Sequence, residues 1–208
     1  RADEPPHNTL ALVAPDGTAH RYRKIHPFTF AGEHERYQAG EDFVTVDVEG
    51  LRLTLFVCYD LRFPELYRAL ATAGAEVLCV PSAFTAQTGQ AHWETLLRAR
   101  AIETGCFVLA PAQGGRHDDG RETYGHSLIV GPWGEVLADG GDQPGVAMAT
   151  IDLDEAVAAR RKSRSAESAP KALVDEADEA LFTALRALRT KLATEQNVPA
   201  YVVFADRT

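Results

Sequence analysis

The stretch Leu51-Arg-Leu-Thr-Leu-Phe-Val-Cys58-Tyr-Asp-Leu-Arg-Phe-Pro-Glu-Leu66 decides how this chain folds. Its first seven residues are an apolar run that reads as a strand. After Arg62, the residues Phe63, Leu66, Tyr67 and Leu70 recur at helical spacing, and Gly74 stops that helix before a buried-type strand at 76–80. The result is a strand-helix-strand unit with Cys58 at its first elbow. An elbow of this kind presents a thiol at the carboxyl edge of a sheet, near helix amide dipoles that lower a thiol's pKa and can hold a developing oxyanion. Position alone permits nucleophilic chemistry without requiring it, because most cysteines are simply small buried residues.

Outward from this unit the pattern repeats. Trp93, Leu96, Leu97 and residues 100–102 predict a second helix ending at Gly105, followed by an apolar strand at 106–110. Further strands are expected at 9–13 before Pro15-Asp16-Gly17, at 43–48 before Glu49-Gly50, and at 127–130, 135–138 and 146–151. Alternating strands and helices predict an α/β domain with helices on the sheet faces, and the paired strands near its two ends predict mixed pairing. The texture changes after Ile151. Residues 152–162 predict a short basic-ended helix, and 163–170 are Ser, Ala and Pro-rich like a linker. Asp178 can cap a helix with Leu181, Leu185, Leu188 and Leu192 on one stripe, ended by Pro199. The expected organisation is an α/β domain over 1–162, a linker over 163–177 and a helical segment over 178–208.

With 45% hydrophobic and 25% charged residues, the chain has the proportions of a protein that buries a core. Its 21 basic and 30 acidic side chains give a net charge of −9, which disfavours binding to nucleic acid or a membrane surface as a whole and points to small molecules. Three irregularly spaced cysteines fit neither a metal motif nor a disulfide framework, so reduced thiols in the cytoplasm are expected, with no metal and no cofactor. No apolar run approaches the roughly 20 residues of a membrane helix, and the polar start lacks the order of a signal peptide.

Two further motifs flank Cys58-Tyr-Asp-Leu-Arg-Phe-Pro-Glu-Leu66: Tyr22-Arg-Lys24-Ile-His26-Pro-Phe28 before it and His92-Trp-Glu-Thr-Leu-Leu-Arg-Ala-Arg-Ala-Ile-Glu103 after it. Tyr124-Gly-His-Ser127 and Pro132-Trp-Gly134 continue in register. From about Thr9 to about Lys162 the series resembles the nitrilase superfamily of carbon-nitrogen hydrolases, and in particular its amidase-like Nit branch. The resemblance implies an αββα sandwich, here without its N-terminal strand-helix-strand unit, and a Glu-Lys-Cys triad. In that triad a glutamate activates the thiol, and a lysine ammonium with a backbone amide stabilises the oxyanion. Cys58 and Lys24 match two of the three positions. Amide cleavage needs a nucleophile, a proton shuttle to the departing nitrogen and fixed positive charge at the carbonyl oxygen, which is the chemistry these residue types supply.

The family's first glutamate lies well ahead of the lysine, and no residue among the 23 before Lys24 matches it; Glu4 sits in a polar Asp-Glu-Pro-Pro stretch. A second family glutamate is matched by Glu33, with Glu35 as the competing alignment. By the same resemblance the N–H of Tyr59 would bind the oxyanion, Arg62 and Glu65 would brace the elbow, and Phe84 and Glu94 would border the substrate pocket. Trp93 fits the apolar stripe and is expected in the core, as are Cys79 and Cys106. His26, His117 and His126 show no ligand spacing. The implied substrate is a small carboxamide, cleaved through a thioester with release of ammonia, and the implied assembly is a homo-oligomer.

The tail differs. Leu181-Phe-Thr-Ala-Leu-Arg-Ala-Leu-Arg-Thr-Lys-Leu192 followed by Asn197-Val-Pro-Ala-Tyr-Val-Val-Phe-Ala-Asp206 resembles the opening of the helicase-and-RNase-D C-terminal domain of RecQ-type helicases. Arg186, Arg189 and Lys191 would be its basic side chains for phosphates, so a noncatalytic DNA-associated module is the rival reading. Three basic residues on one helix more often form a solvated face. The chain starts at Arg1, ends just after an apolar run, and changes family near Lys162. It is therefore expected to be a fragment with an assembly, deletion or gene-model junction, and a weak or inactive hydrolase in this form.

Overall fold

The computed structural model of the chain describes residues 5–154 and 157–158. β1 (Thr9–Val13) and β2 (Ala19–Arg23) form an antiparallel hairpin, its turn held where the Asp16 carboxylate accepts the Thr18 N–H at 2.8 Å and Gly17 takes a φ of 86°. A 3-10 turn at Thr29–Ala31 and the short α1 (Glu33–Arg36) follow. The chain then enters the main sheet through β3 (Thr45–Val48) and β4 (Leu51–Leu55), leaves it through a 3-10 turn at Cys58–Arg62 and α2 (Pro64–Thr72), and returns in β5 (Val77–Cys79). α3 (Ala86–Thr104) leads to β6 (Phe107–Ala110). β7 (Gly114–Arg116) and β8 (Glu122–Tyr124) make a second hairpin, and β9 (Leu128–Val130) and β10 (Val136–Asp139) complete the sheet.

The six strands lie in the order β10-β9-β6-β5-β4-β3. β4, β5 and β6 are parallel, because α2 and α3 each carry the chain back to the same edge before the next strand begins. The outer pairs are antiparallel, so the expected mixed pairing is observed. Strand periodicity gives the sheet two buried faces. Phe56, Leu78, Val80, Val108 and Val130 pack against Leu66, Tyr67 and Leu70 of α2 and Trp93, Leu97 and Ala101 of α3. On the other face, Leu55 and Val57 join Val46 and Tyr22, with Leu10 and Leu12 of the first hairpin against them, while Val77 and Phe107 meet Leu53, Leu109 and Ile151. Burying one Leu or Phe contributes roughly 1.5–3 kcal/mol, so the stack of helices, sheet and hairpin holds by the sum of these contacts.

The helix ends follow local chemistry. Pro64 opens α2, where the missing N–H costs nothing. Thr85 caps α3 by accepting the Thr88 N–H at 3.3 Å, and Gly105 closes it at a φ of 63°. One expected element is absent. Residues 146–151 form no strand, and Val146 and Met148 are 84% and 81% exposed. A strand needs a pairing partner, and among the described residues 146–151 pair with no strand. The hairpin of β7 and β8 goes the other way: its Gly-rich polar sequence carries no apolar alternation to read. Residues 153–154 and 157–158 are helical; the remainder of the expected helix, the linker 163–177 and the helix from Asp178 lie outside the described residues. No helix among the described residues is long and apolar enough to cross a membrane.

Candidate active site

Cys58 leaves the strand at a left-handed φ of 50°, unusual for a residue with a side chain. Such strain persists only where surroundings over-determine it, and here they do. The Cys58 N–H donates to the Pro81 carbonyl at 3.0 Å, tying the elbow to the loop after β5. Two residues on, the buried Asp60 carboxylate accepts the Val57 N–H at 2.9 Å and closes the turn. Behind it, the buried Arg100 of α3 donates through Nε and Nη2 to the Leu61 carbonyl at 3.0 and 2.8 Å.

Lys24 follows the last residue of β2. Its N–H donates to the Asn8 carbonyl at 2.9 Å and its carbonyl accepts the Gly40 N–H at 2.8 Å. A β-carbon at position 40 would lie 2.2 Å from the Arg23 carbonyl oxygen, so only glycine permits this approach. The Lys24 side chain is 3% exposed, and its Nζ donates to Glu33 Oε2 at 2.5 Å. Glu33 also accepts Asn8 Nδ2 at 2.7 Å and the Phe28 N–H at 2.6 Å. Partial burial by itself would raise the Glu33 carboxyl, but the hydrogen bonds from Lys24, Asn8 and Phe28 outweigh it and hold the group below its ordinary value.

Cys58, Lys24 and Glu33 line one cleft of about 640 Å³. Asn8, Phe28, Ser82 and Gln113 share its walls, and Arg36 and Arg121 bring two guanidinium groups. Burial pushes the Cys58 thiol up, and the opposing pull of the Ala83 N–H, the Lys24 ammonium and the Ser82 hydroxyl does not bring it back to its ordinary value. This corrects the expectation that the elbow lowers the thiol's pKa: desolvation wins over nearby dipoles. A thiol held up in this way would need a base to act as a nucleophile.

The strained cysteine, the buried lysine and the carboxylate on it lie in one cleft, within a stretch that known proteins resemble. The family model for carbon-nitrogen hydrolases matches residues 1–161. The chain belongs to the carbon-nitrogen hydrolase family. A deaminated glutathione amidase from Synechocystis is 46% identical over 170 residues, which cover 76% of this chain and 62% of that protein. Among solved structures, the NitFhit protein of C. elegans aligns with a TM-score of 0.74 and 41% identity over 80% of this chain and 42% of its own. An amidase from Nesterenkonia, whose active-site cysteine carries the acetamide moiety of fluoroacetamide, aligns with a TM-score of 0.64 and 29% identity over 77% of this chain and 60% of its own. The chain thus spans less than two thirds of the length of each. The tail matches the HRDC domain model over residues 178–208.

Against the residues singled out from sequence, this carbon-nitrogen hydrolase differs in several places. Phe84 is 7% exposed and packs on Trp93 with ring centroids 4.9 Å apart, so it belongs to the core and not to the cleft wall. Glu94 is 56% exposed on the outer side of α3, where it pairs with Arg98 one turn on at 3.2 Å. Neither lines the cleft, because helical rotation carries position 94 away from the face that Trp93 buries. The Tyr59 ring is buried and packs against Phe28 in a tilted contact with centroids 4.8 Å apart. Glu33 reaches the cleft and Glu35 is not among the residues that line it. Arg62 bonds His92 Nδ1 at 3.1 Å, while Glu65 is exposed. The brace of the elbow is Arg100, whose signal was a charged residue among the apolar positions of a helix. Trp93 and Cys106 are fully buried, and Cys79, half-buried, has its thiol pushed up to about 11 by burial.

Proposed function

We propose that this site hydrolyses the carbon-nitrogen bond of a small amide through a cysteine thioester. The observation that carries the reading is the convergence of Cys58, Lys24 and Glu33 on one cleft, with Cys58 on a strained elbow. Cys58 Sγ attacks the amide carbonyl as its proton passes to a base. The carbonyl oxygen becomes anionic and is stabilised by the Lys24 ammonium and the Tyr59 N–H. The tetrahedral adduct collapses with cleavage of the carbon-nitrogen bond, the proton goes to the departing nitrogen, and a thioester remains. Water then attacks the thioester carbonyl, the carbon-sulfur bond breaks, and the acid leaves. A primary carboxamide releases ammonia in the first half.

Glu33 suits the role of holding Lys24 more than that of base. Its oxygens are engaged by three donors and its affinity for a proton is reduced. The family's triad adds another glutamate, for which these 208 residues offer no match. We therefore propose that a polypeptide of these residues alone turns over slowly. Arg36, which makes no ion pair among the described residues, favours an amide with an anionic end; Arg121, in the same cleft, is already paired with Asp119. A deaminated glutathione, whose amide would release a peptide amine, is on that account the first compound to test beside simple ω-amides.

The test compares residues 1–208 with the same chain carrying a nitrilase-type N-terminal unit, on a panel of anionic and neutral amides, following ammonia and amine release. Turnover in the extended protein that disappears in Cys58→Ala is expected; turnover retained in Cys58→Ala sinks the assignment. Equal rates with and without the added unit would overturn the proposal of a slow isolated chain. The HRDC match supports a second, weaker reading, in which Arg186, Arg189 and Lys191 contact DNA. Binding to DNA that vanishes when residues 163–208 are removed would support it.

A further inference from the structure

We infer that Asp60 is a positioning residue for this reaction, whose buried carboxylate ties the chain on both sides of Lys24 to the turn that carries Cys58 and thereby sets where the ammonium lies relative to the sulfur. The inference rests on the proposed roles of Cys58 and Lys24. Asp60 is fully buried, and its two oxygens use all of their acceptor capacity. Oδ2 accepts the Tyr22 hydroxyl at 2.8 Å and the Val57 N–H at 2.9 Å. Oδ1 accepts the His26 N–H at 3.0 Å and meets His26 Nδ1 at 2.9 Å, so the carboxylate fixes the ring proton on Nδ1. The Tyr22 hydroxyl in turn accepts the Ile25 N–H at 3.4 Å.

Closing the turn at Cys58 needs only the bond to Val57. The other three partners come from residues 22 and 26, and the secondary bond comes from residue 25, so the contacts bracket position 24 on both sides. The same link is repeated in the apolar surroundings, where the His26 ring stacks on Phe63 at 3.6 Å and an angle of 9°. Lys24 is on a hairpin that belongs to a different layer from the main sheet, and no ladder hydrogen bond joins β2 to β4. Asp60 is a polar tie between the two. Displacing a catalytic group by about 1 Å costs on the order of 10² in rate, which is why such a tie matters to chemistry and not to folding alone.

The test reads the Cys58–Lys24 geometry directly, in the 208-residue chain. Carbamidomethylation of Cys58 by iodoacetamide is followed by mass spectrometry across pH, with Cys79 and Cys106 of the same molecules as controls and near-ultraviolet circular dichroism to confirm folding. The Lys24 charge favours the thiolate, so Asp60→Asn, which loses acceptors and places an amide against donors, should move the Cys58 profile to higher pH by about one unit, or roughly tenfold in rate at pH 8. Lys24→Met should move it in the same direction, and the double variant should move it no further than Lys24→Met does, because Asp60 acts through Lys24. Where Asp60→Asn fails to fold, Tyr22→Phe, which deletes a single hydrogen bond and keeps the ring, carries the test with a shift of about threefold in rate.

A folded variant with an unmoved Cys58 profile overturns the inference. Additive shifts in the double variant, or equal changes at Cys79 and Cys106, overturn it in favour of a general structural role. Failure of the hydrolase reading is a separate result, since it shows as turnover in Cys58→Ala and leaves the labelling profiles as they are.

Discussion

Two carboxylates serve the segment around Lys24, and they do so from opposite sides. Glu33 reaches over from α1, is 13% exposed, and grips the ammonium itself. Asp60 lies in the floor of the turn, is fully buried, and grips the amide, ring and phenol of the flanking residues. The Glu33 bond comes from a carboxylate that water can still partly reach. The Asp60 bonds hold two backbone amides, a ring and a phenol that have no other acceptor among the described residues. One contact is therefore adjustable and the other is part of the frame. Burial also pushes the Tyr22 phenol well up, with the neighbouring Asp60 charge adding to it, so this donor stays protonated.

The sharpest way to break the comparison is to remove the frame. Asp60→Ala strands four donors in the interior, a loss on the order of 3–5 kcal/mol in stability. Urea denaturation at pH 7 measures it. A loss below about 1 kcal/mol would mean that other groups take over the donors, and Asp60 would rank with Glu33. Lys24→Met comes next. It removes the group that Glu33 holds and leaves what Asp60 holds, so in the protein extended at its N-terminus kcat should fall on the order of 10² to 10³, the scale for one oxyanion-stabilising group. A change confined to KM would make Lys24 a substrate anchor.

How much of this was legible in the sequence follows the same division. Cys58 and Lys24 stand in motifs, and the strand before and helix after Cys58 are set by local periodicity that any reader of residues 51–70 recovers. Asp60 and His26 stand in the same motifs, yet their bond spans 34 positions and no local rule announces it. Phe84 and Glu94 misled for a related reason. Both sit in family segments that border a pocket, but Phe84, just ahead of α3, packs into the core on Trp93, and Glu94 is rotated away from the face that Trp93 and Leu97 bury. The state of the Cys58 thiol was misjudged because the elbow suggested dipoles, whereas burial in the folded chain outweighs them even with hydrogen bonds from Ser82 and Ala83 pulling the other way. The missing strand at 146–151 shows the limit from the other side, since a sequence pattern specifies a strand only where a partner strand pairs with it.

The smallest effect separates the two carboxylates most cleanly, because it depends on pH. Glu33→Gln keeps an oxygen for Lys24 but removes the charge, so turnover in the extended protein should fall by only about tenfold, less than for Lys24→Met. The Glu33 carboxyl is held below its ordinary value in the folded chain. A group depressed in this way adds stability above its unfolded pKa and loses it as pH falls through the folded value. Wild type should therefore exceed Glu33→Gln by about 1–2 kcal/mol at pH 7, the scale of a hydrogen bond to a charged group, with the gap closing as the solution is taken below about pH 4. Urea midpoints at pH 7, 5 and 3 read this directly. A constant gap at all three would show that the folded chain does not hold the Glu33 proton affinity down, and the distinction between an adjustable grip and a fixed frame would then rest on burial alone.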